Sequence, residues 1–449
     1  MKRILIAALI LLLSISLISC GQGTQGEPAE DEPTYEDAIT VSTGSQELTD
    51  PSIVKTASEE DIEDYFDVLY SENGIAPEVR KNAMNLFRAL ALDDIKKGTN
   101  TMISPLSFMT AMGLLENGAA GDTLKEIEDA FGYDTESFNE WYDAWSKMLL
   151  LNGRDSLKMA NSVWYRSGAG LRVSDEYLKK AAEVFEAQAF EAAFDEETLK
   201  DINSWVSDKT DGMIPKLLDN LTEDSMMWLI NATCFEGAWL KDYEDDQIIE
   251  GEKFTREDGT EDDATMLSST ETSSPYISND FLKGTIKEYQ NGFEIMFLLP
   301  DKGVSLEEAL LKLEGDAIGE LRKNIEMADI DLMIPEFSFD YTAPECIESL
   351  RAMGINTAFD ENRADLSPMA VMDDGYNLYV DTVIHKTHID LDREGTKAAA
   401  ATAIGIAKES AAYFEVPQRE LKLDRPFIFV ISDTTTQTPV FIGTVGSLG

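Results

Sequence analysis

The chain changes its hydrophobic rhythm several times. Residues 4–18 are apolar apart from Ser14 and Ser16, behind a basic Lys2-Arg3 start, and residues 21–75 carry few apolar positions. From Ala76 a helical rhythm sets in. Pro77 suits a first helical turn, Val79, Ala83, Leu86, Phe87 and Leu90 recur at helical spacing, and Gly98 stops the run. Ser104-Pro105 opens a second helix carrying Phe108, Ala111, Met112 and Leu115, which closes near Gly118. Thr123 with Glu126 reads as the capping box of a third. Residues 157–163 alternate as a strand does, and residues 202–217 read as a helix with a break at Gly212. The nearly unbroken apolar run at 226–235 predicts a strand buried on both faces. Asn291-Gly292 between two apolar runs predicts a hairpin, and Ser305 with Glu308 caps a further helix. Strands are predicted near 329–334, 378–391, 421–431 and 440–445. Early helices followed by many strands, with no internal repeat, predict an α+β fold built as one domain with mixed sheets.

The first nineteen residues form an address rather than a structural element. A basic start, a short apolar stretch and a small residue at the boundary read as a secretory signal, and the stretch is shorter than the roughly 20 residues of a membrane span. Leu17-Ile18-Ser19-Cys20 resembles a bacterial lipobox. That resemblance implies a diacylglyceryl group on Cys20 and a protein outside the cytoplasm, anchored to a bacterial membrane and facing outward, or secreted if the lipobox is not used. Residues 20–75, acid-rich with Lys55 as their one base, read as a flexible tether. Within it, Ser58 to Asp61 caps a short helix holding Ile62, Tyr65 and Phe66, which can dock on the domain. The expected organisation is thus a signal at 1–19, a tether at 20–75 and a folded domain at 76–449.

Charge narrows the partners. Lys and Arg number 37 against 85 Asp and Glu, a formal charge of −48. So acidic a chain is a poor partner for nucleic acid, whose phosphates need basic residues. The composition, 43% hydrophobic and 27% charged, is that of a globular chain large enough to bury a core without staples. Cys234 and Cys346 read as buried thiols rather than a disulfide framework. The two histidines, His385 and His388, lie three apart in a segment that reads as a strand, so they point to opposite faces and make a poor metal pair. The acidic stretch 257–263 lacks the ligand order of a calcium loop. With two histidines and no G-x-S-x-G elbow, hydrolase chemistry has little to work with. No cofactor or metal is expected, and an enzyme is not.

One segment conflicts with itself. Gly395-Thr396-Lys397-Ala398-Ala399-Ala400-Ala401-Thr402-Ala403-Ile404-Gly405-Ile406 favours helix by its alanines, yet it follows a strong strand. Taken at period two, Thr396, Ala398, Ala400, Thr402, Ile404 and Ile406 share a small-to-apolar face, with no proline to interrupt a ladder. A segment that can be loop in one state and strand in another is a candidate switch.

Here the chain resembles a serpin. The matching runs, in family order, are Asn100-Thr101-Met102-Ile103-Ser104-Pro105-Leu106-Ser107, Asn117-Gly118-Ala119, Asn203-Ser204-Trp205-Val206, Leu229-Ile230-Asn231-Ala232 and Phe235-Glu236-Gly237-Ala238-Trp239. They continue with His385-Lys386, Glu394-Gly395-Thr396, Arg425-Pro426-Phe427 and Phe441-Ile442-Gly443. The resemblance implies three β-sheets with surrounding helices and an exposed reactive loop on a metastable native state. It implies a suicide-substrate inhibitor: a serine protease, or a cysteine protease, cuts the loop, stays bound as an acyl-enzyme and is trapped as the loop inserts into the main sheet. The resemblance further implies an inhibitor that acts as a monomer. The alternative is a non-inhibitory binding or chaperone protein on the same fold.

By the same resemblance Ser104, Ser107, Asn231 and His385 form the shutter beneath the sheet, and Trp239 marks the breach where insertion begins. The hinge is Gly395, Thr396, Ala398, Ala399, Ala400, Ala401 and Thr402. Taking Gly395 as the fifteenth residue before the cut puts the reactive bond between Glu409 and Ser410. The stretch from Ser410 to Asp424 is long for the family, so Lys408, Ala412 and Tyr413 are rival cut sites. Arg393 stands where the family often has Glu, with Glu394 beside it. Thr396 is expected to face inward after insertion but to be solvated before it.

Overall fold

The apolar run at 226–235 becomes a central strand because both of its faces are covered. The computed structural model describes residues 44–49, 55–152, 156–168, 170–221, 226–373, 377–396 and 416–448. Among these, eight strands make the main sheet: β1 (Gln46–Glu47), β2 (Leu157–Arg166), β3 (Gln188–Ala192), β4 (Met227–Phe235), β5 (Gly237–Ala238), β6 (Phe337–Thr342), β7 (Thr382–Leu391) and β8 (Gly395–Thr396). Every residue of β4 is buried. Met227, Leu229 and Phe235 join the large core, while Trp228, Ile230 and Ala232 face a second core with Trp164, Phe190 and Trp205. Period-two alternation therefore serves two apolar layers, which explains why the run is nearly unbroken, its buried polar residues being Asn231 and Thr233.

The helices at the start follow the spacing of the sequence: α1 (Ile62–Leu69), α2 (Ala76–Ile95), α3 (Pro105–Asn117), α4 (Gly121–Phe131), α5 (Thr135–Asn152), α6 (Asp175–Phe185) and α7 (Glu196–Lys209). Ser104 caps α3, its Oγ accepting from the Ser107 amide at 3.4 Å. Helix α7 closes the second core over the sheet through Ile202, Trp205 and Val206. Behind the large core lies a nine-stranded sheet among the described residues, and a two-stranded one pairs Ala370–Met372 with Leu171–Val173. The Asn291-Gly292 turn joins Leu282–Glu288 to Phe293–Pro300, with φ of 63° and 78° at the two residues, the left-handed pair that such a turn needs. Helices and three sheets make the α+β fold that the sequence implied.

Several local expectations are corrected by tertiary contacts. The tether expected over 20–75 ends earlier, since residues 44–49 and 55–75 belong to the folded body. β1 extends the edge of the sheet against β3, and Ser45 donates to Asp201 at 2.6 Å. Lys55, its side chain 1% exposed, pairs with Asp143 at 3.2 Å and donates to Ser146 Oγ and the Val184 carbonyl, each at 2.6 Å. The short helix expected to dock does so: Ile62, Tyr65, Phe66 and Leu69 line one face of α1 and are all buried. Side chains of this kind contribute roughly 1.5–3 kcal/mol each when fully buried, which offsets the disorder favoured by an acidic composition.

The Thr123–Glu126 capping box does not form. α4 starts at Gly121, Thr123 Oγ1 accepts from the Asp365 amide, and Glu126 accepts from the amides of Asn356 and Thr357. The helix expected at 202–217 instead starts at Glu196, after an Asp195–Thr198 capping box, and ends before Asp211 and Gly212 take positive φ. The strand expected at 421–431 divides into Gln418–Lys422 and Phe427–Asp433, separated at Pro426, which has no amide to donate. The strand expected at 378–391 begins at Thr382. Cys234 and Cys346 are buried and form no disulfide, and burial pushes the Cys346 thiol up to about 12.

Candidate functional site

β4 and β7 run parallel at the centre of the main sheet, and their pairing is incomplete. It runs from Trp228 opposite Thr382 to Ala232 opposite Lys386 and stops there. Beyond that point β7 continues to Leu391, held on its other edge by β6. Among the described residues, the two sides meet again only through β8. Thr396 pairs with Leu391, and Gly395 and Thr396 pair with Ala238 and Gly237 of β5. The sheet is therefore closed at one end and parted at the other, with two residues of the candidate switch in the parting.

At the closed end the structure brings Ser104, Ser107, Asn231 and His385 together, all buried. His385 Nε2 accepts from the Ser104 amide at 2.9 Å, and its ring meets Phe108 edge-on. Accepting at Nε2 places the proton of the neutral ring on Nδ1, and complete burial lowers the pKa to about 4. Ser107 Oγ donates to Asn231 Oδ1; Asn231 Nδ2 donates to the Ser107 carbonyl at 3.2 Å and to Asn161 Oδ1 at 2.6 Å. Thr233 Oγ1 also donates to Asn231 Oδ1, at 3.2 Å. Sequence reasoning passed over Asn161. It stands directly opposite Asn231 in the β2–β4 register, a pairing between segments far apart in the chain that no local pattern reveals. His388 lies on the other face, half-exposed beside Asp340, so the two histidines do not converge.

At the parted end Trp239 is fully buried against the hinge. Its amide donates to the Glu394 carbonyl at 3.0 Å and its Nε1 to the Asp392 carbonyl at 2.9 Å. Tyr289 stacks on Trp239 with 4.6 Å between ring centroids and an 8° interplanar angle. Residues 392–395 make a tight turn, with the Asp392 amide bonded to the Gly395 carbonyl at 2.8 Å. Gly395 has φ +146°, and a Cβ there would lie 2.0 Å from the Gly237 carbonyl oxygen, so only glycine fits this crossing. Thr396 is 1% exposed and its hydroxyl is 2.6 Å from that of Tyr289. The expectation that Thr396 is solvated before insertion is therefore wrong: β5 and Tyr289 already receive it.

The departure at Arg393 has a local counterpart. Arg393 reaches outward to Asp245 at 3.2 Å. Lys287, which lies over the rings of Trp239 and Tyr243, pairs instead with Glu271 at 2.9 Å. Burial pushes the Glu271 carboxyl up, but Lys287 and Ser269 more than reverse this and hold it below the usual range. Lys287, Glu271 and Tyr289 carried no signal in the sequence, because their role depends on which strands meet at this end. Ala398, Ala399, Ala400, Ala401 and Thr402, the reactive pair Glu409 and Ser410, the rivals Lys408, Ala412 and Tyr413, and Cys20 lie outside the described residues.

Comparison with known proteins agrees with this geometry. Residues 78–448 match the family described as Serpin (serine protease inhibitor). Iripin-8 of Ixodes ricinus is 30% identical over 381 residues, covering 81% of this chain and 91% of its own. The native state of tengpin, a thermophilic serpin, superposes with a TM-score of 0.75 at 32% identity, covering 90% of this chain and all of its own. Human thyroxine-binding globulin superposes with a TM-score of 0.71 at 21% identity, covering 85% of this chain and 99% of its own, and shares the fold.

Proposed function

Because the chain belongs to the serpin family, we propose that it is a suicide-substrate inhibitor of serine proteases. The target's nucleophile attacks the peptide bond between Glu409 and Ser410. Its oxygen bonds to the Glu409 carbonyl carbon, the peptide bond breaks and the proton passes to the new amine at Ser410. The cut loop then enters the main sheet between β4 and β7, and the acyl-linked protease is carried with it and deformed before water can release it. Inserting about 14 residues gains backbone hydrogen bonds worth roughly 0.5–1.5 kcal/mol each, on the order of 10 kcal/mol in all, enough to offset deformation of a bound enzyme.

The observation that carries this reading is the parted sheet, with Gly395 and Thr396 already between β7 and β5. A sheet whose central strands were paired along their whole length would have to break its own ladder to accept a loop. The small side chains of Ala398, Ala399, Ala400 and Ala401 support the same reading, because Ala398, Ala400 and Thr402, which follow Thr396 on its inward face, are small and uncharged.

The test is a denaturing gel after mixing with a panel of proteases, with sequencing of the cut. A complex that survives detergent, joined at Glu409, is the expected result. Intact protease beside unmodified protein would favour a binding or chaperone role on the same fold. The anchoring reading is tested separately: Cys20→Ala should release the protein from membranes or block its processing. Equal retention of the variant after a high-salt wash would exclude a lipid on Cys20, because salt removes electrostatic contacts and leaves a lipid in place.

A further inference from the structure

Two buried hydroxyls meet where the candidate switch enters the sheet. Tyr289 Oη and Thr396 Oγ1 are 2.6 Å apart, with the two residues 3% and 1% exposed. Burial raises the Tyr289 pKa and keeps the phenol protonated, so it can act as the donor. Its ring cannot follow the hinge outward. It is stacked on Trp239 and meets Phe235 edge-on at 5.1 Å. Its amide also donates to the Phe293 carbonyl at 2.9 Å. Thr396 is the movable partner, at the end of a tight turn and paired with only one residue on each side.

We propose that the Tyr289 hydroxyl is a latch, a positioning group that keeps Thr396 seated in the uncleaved molecule so that insertion begins from a residue already in register. The proposal deepens the inhibitory reading and rests on it. Adding a strand to a sheet carries an entropic cost until its first pairs form, and holding the leading residue in place removes that cost in advance. The race between insertion and acyl hydrolysis is then biased toward trapping before any bond is cut. The fit is specific to Gly-Thr: Gly395 crosses the Gly237 carbonyl where no side chain has room, and the threonine hydroxyl reaches the phenol.

The test uses the full chain and two readouts. The first is hydrogen exchange at the Thr396 and Trp239 amides of the uncleaved protein, the latter reporting its bond to Glu394. Tyr289→Phe keeps the ring stack, and Thr396→Val keeps the branched side chain; each should speed exchange there roughly two- to tenfold, the range of one net hydrogen bond. Thr396→Ser should restore slow exchange. The double variant Tyr289→Phe/Thr396→Val should be no faster than either single one, because both remove the same bond. The second readout is the number of inhibitor molecules consumed per protease trapped, which should rise by a similar factor in both single variants and not in Thr396→Ser. Wild-type exchange in Tyr289→Phe, failure of Thr396→Ser to rescue, or multiplicative effects in the double variant would overturn the latch. If the wild type traps no protease, the inhibitory reading fails, and exchange still decides whether the latch exists. Should Tyr289→Phe misfold, the Thr396→Val and Thr396→Ser pair carries the same comparison.

Discussion

The two ends of the β4–β7 seam are built from the same strands and held by opposite means. At one end backbone pairs close the seam and a buried polar cluster, Ser104, Ser107, Asn161, Asn231 and His385, fixes helix α3 beneath it. At the other end the strands carry no pairing to each other, and a glycine and a threonine from outside the seam hold the gap. A polar cluster with its partners in place resists sliding, because moving one member strands the rest in a medium without water. The parted end, where three β8 pairs, two Trp239 bonds to the turn and one hydroxyl bond seat the hinge beside an aromatic stack, is easier to shift. The contrast shows where the sheet can open first and what must give way for the opening to travel.

Perturbing each end should produce unlike effects. The largest is expected at the closed end. Asn231→Ala removes the residue that joins β2, β4 and α3, leaves Asn161 and Ser107 with broken bonds, and should cost the intact form about 3 kcal/mol, read by chemical denaturation. Next comes pH. His385 titrates near 4 in the fold, below its ordinary value of 6.5, so the fold favours the neutral ring. Its contribution is complete above about pH 6.5 and falls as pH drops toward 4, with about 2 kcal/mol lost by pH 5. His385→Gln should flatten that acid limb in melting curves taken from pH 7 to pH 4.5; an unchanged limb would remove His385 from the closure.

At the parted end the losses are smaller in stability and larger in function. Thr396→Arg cannot keep its seat, since an unpaired guanidinium under the sheet is too costly, so the hinge should leave the gap at a cost of about 1 kcal/mol to the intact form. Protease turnover should then replace trapping, visible as cleaved protein beside active enzyme. If this variant traps as well as Thr396→Ser does, Thr396 plays no part in insertion. The smallest effect belongs to Arg393→Glu. Its partner Asp245 is fully exposed, and the change should move intact stability by less than about 0.5 kcal/mol. A larger loss would mean that Arg393 contributes to the breach after all.

How much of this was legible in the sequence follows the same division. The closed end could be read in part: the apolar run of β4, the Ser104 cap and the strand around His385 are local patterns, and the family resemblance tied them together. Asn161 was not, because its meaning comes from register with Asn231. At the parted end the sequence pointed to Gly395, Thr396 and Trp239 but gave no hint of Lys287 or Glu271, which reach the site on strands of the other sheet, or of Tyr289, one residue past the strand Leu282–Glu288. It also left Thr396 in water, since a loop segment carries no local mark of a socket waiting for it. At the amino-terminal side the Ser58 cap and the apolar face of α1 could be read, but the acid-rich composition hid β1 and the buried Lys55–Asp143 pair, so the folded body starts some thirty residues before Ala76 by the measure of β1.

The central claim is that the uncleaved protein holds its main sheet in a state that gains stability when the loop is cut. The direct measurement is the melting temperature of the intact protein against that of the same protein cleaved once within 408–413. A gain on the order of 10 kcal/mol from a new central strand predicts a rise of at least about 10 °C. A cleaved form that melts at or below the temperature of the intact one would contradict the claim, whatever the fold.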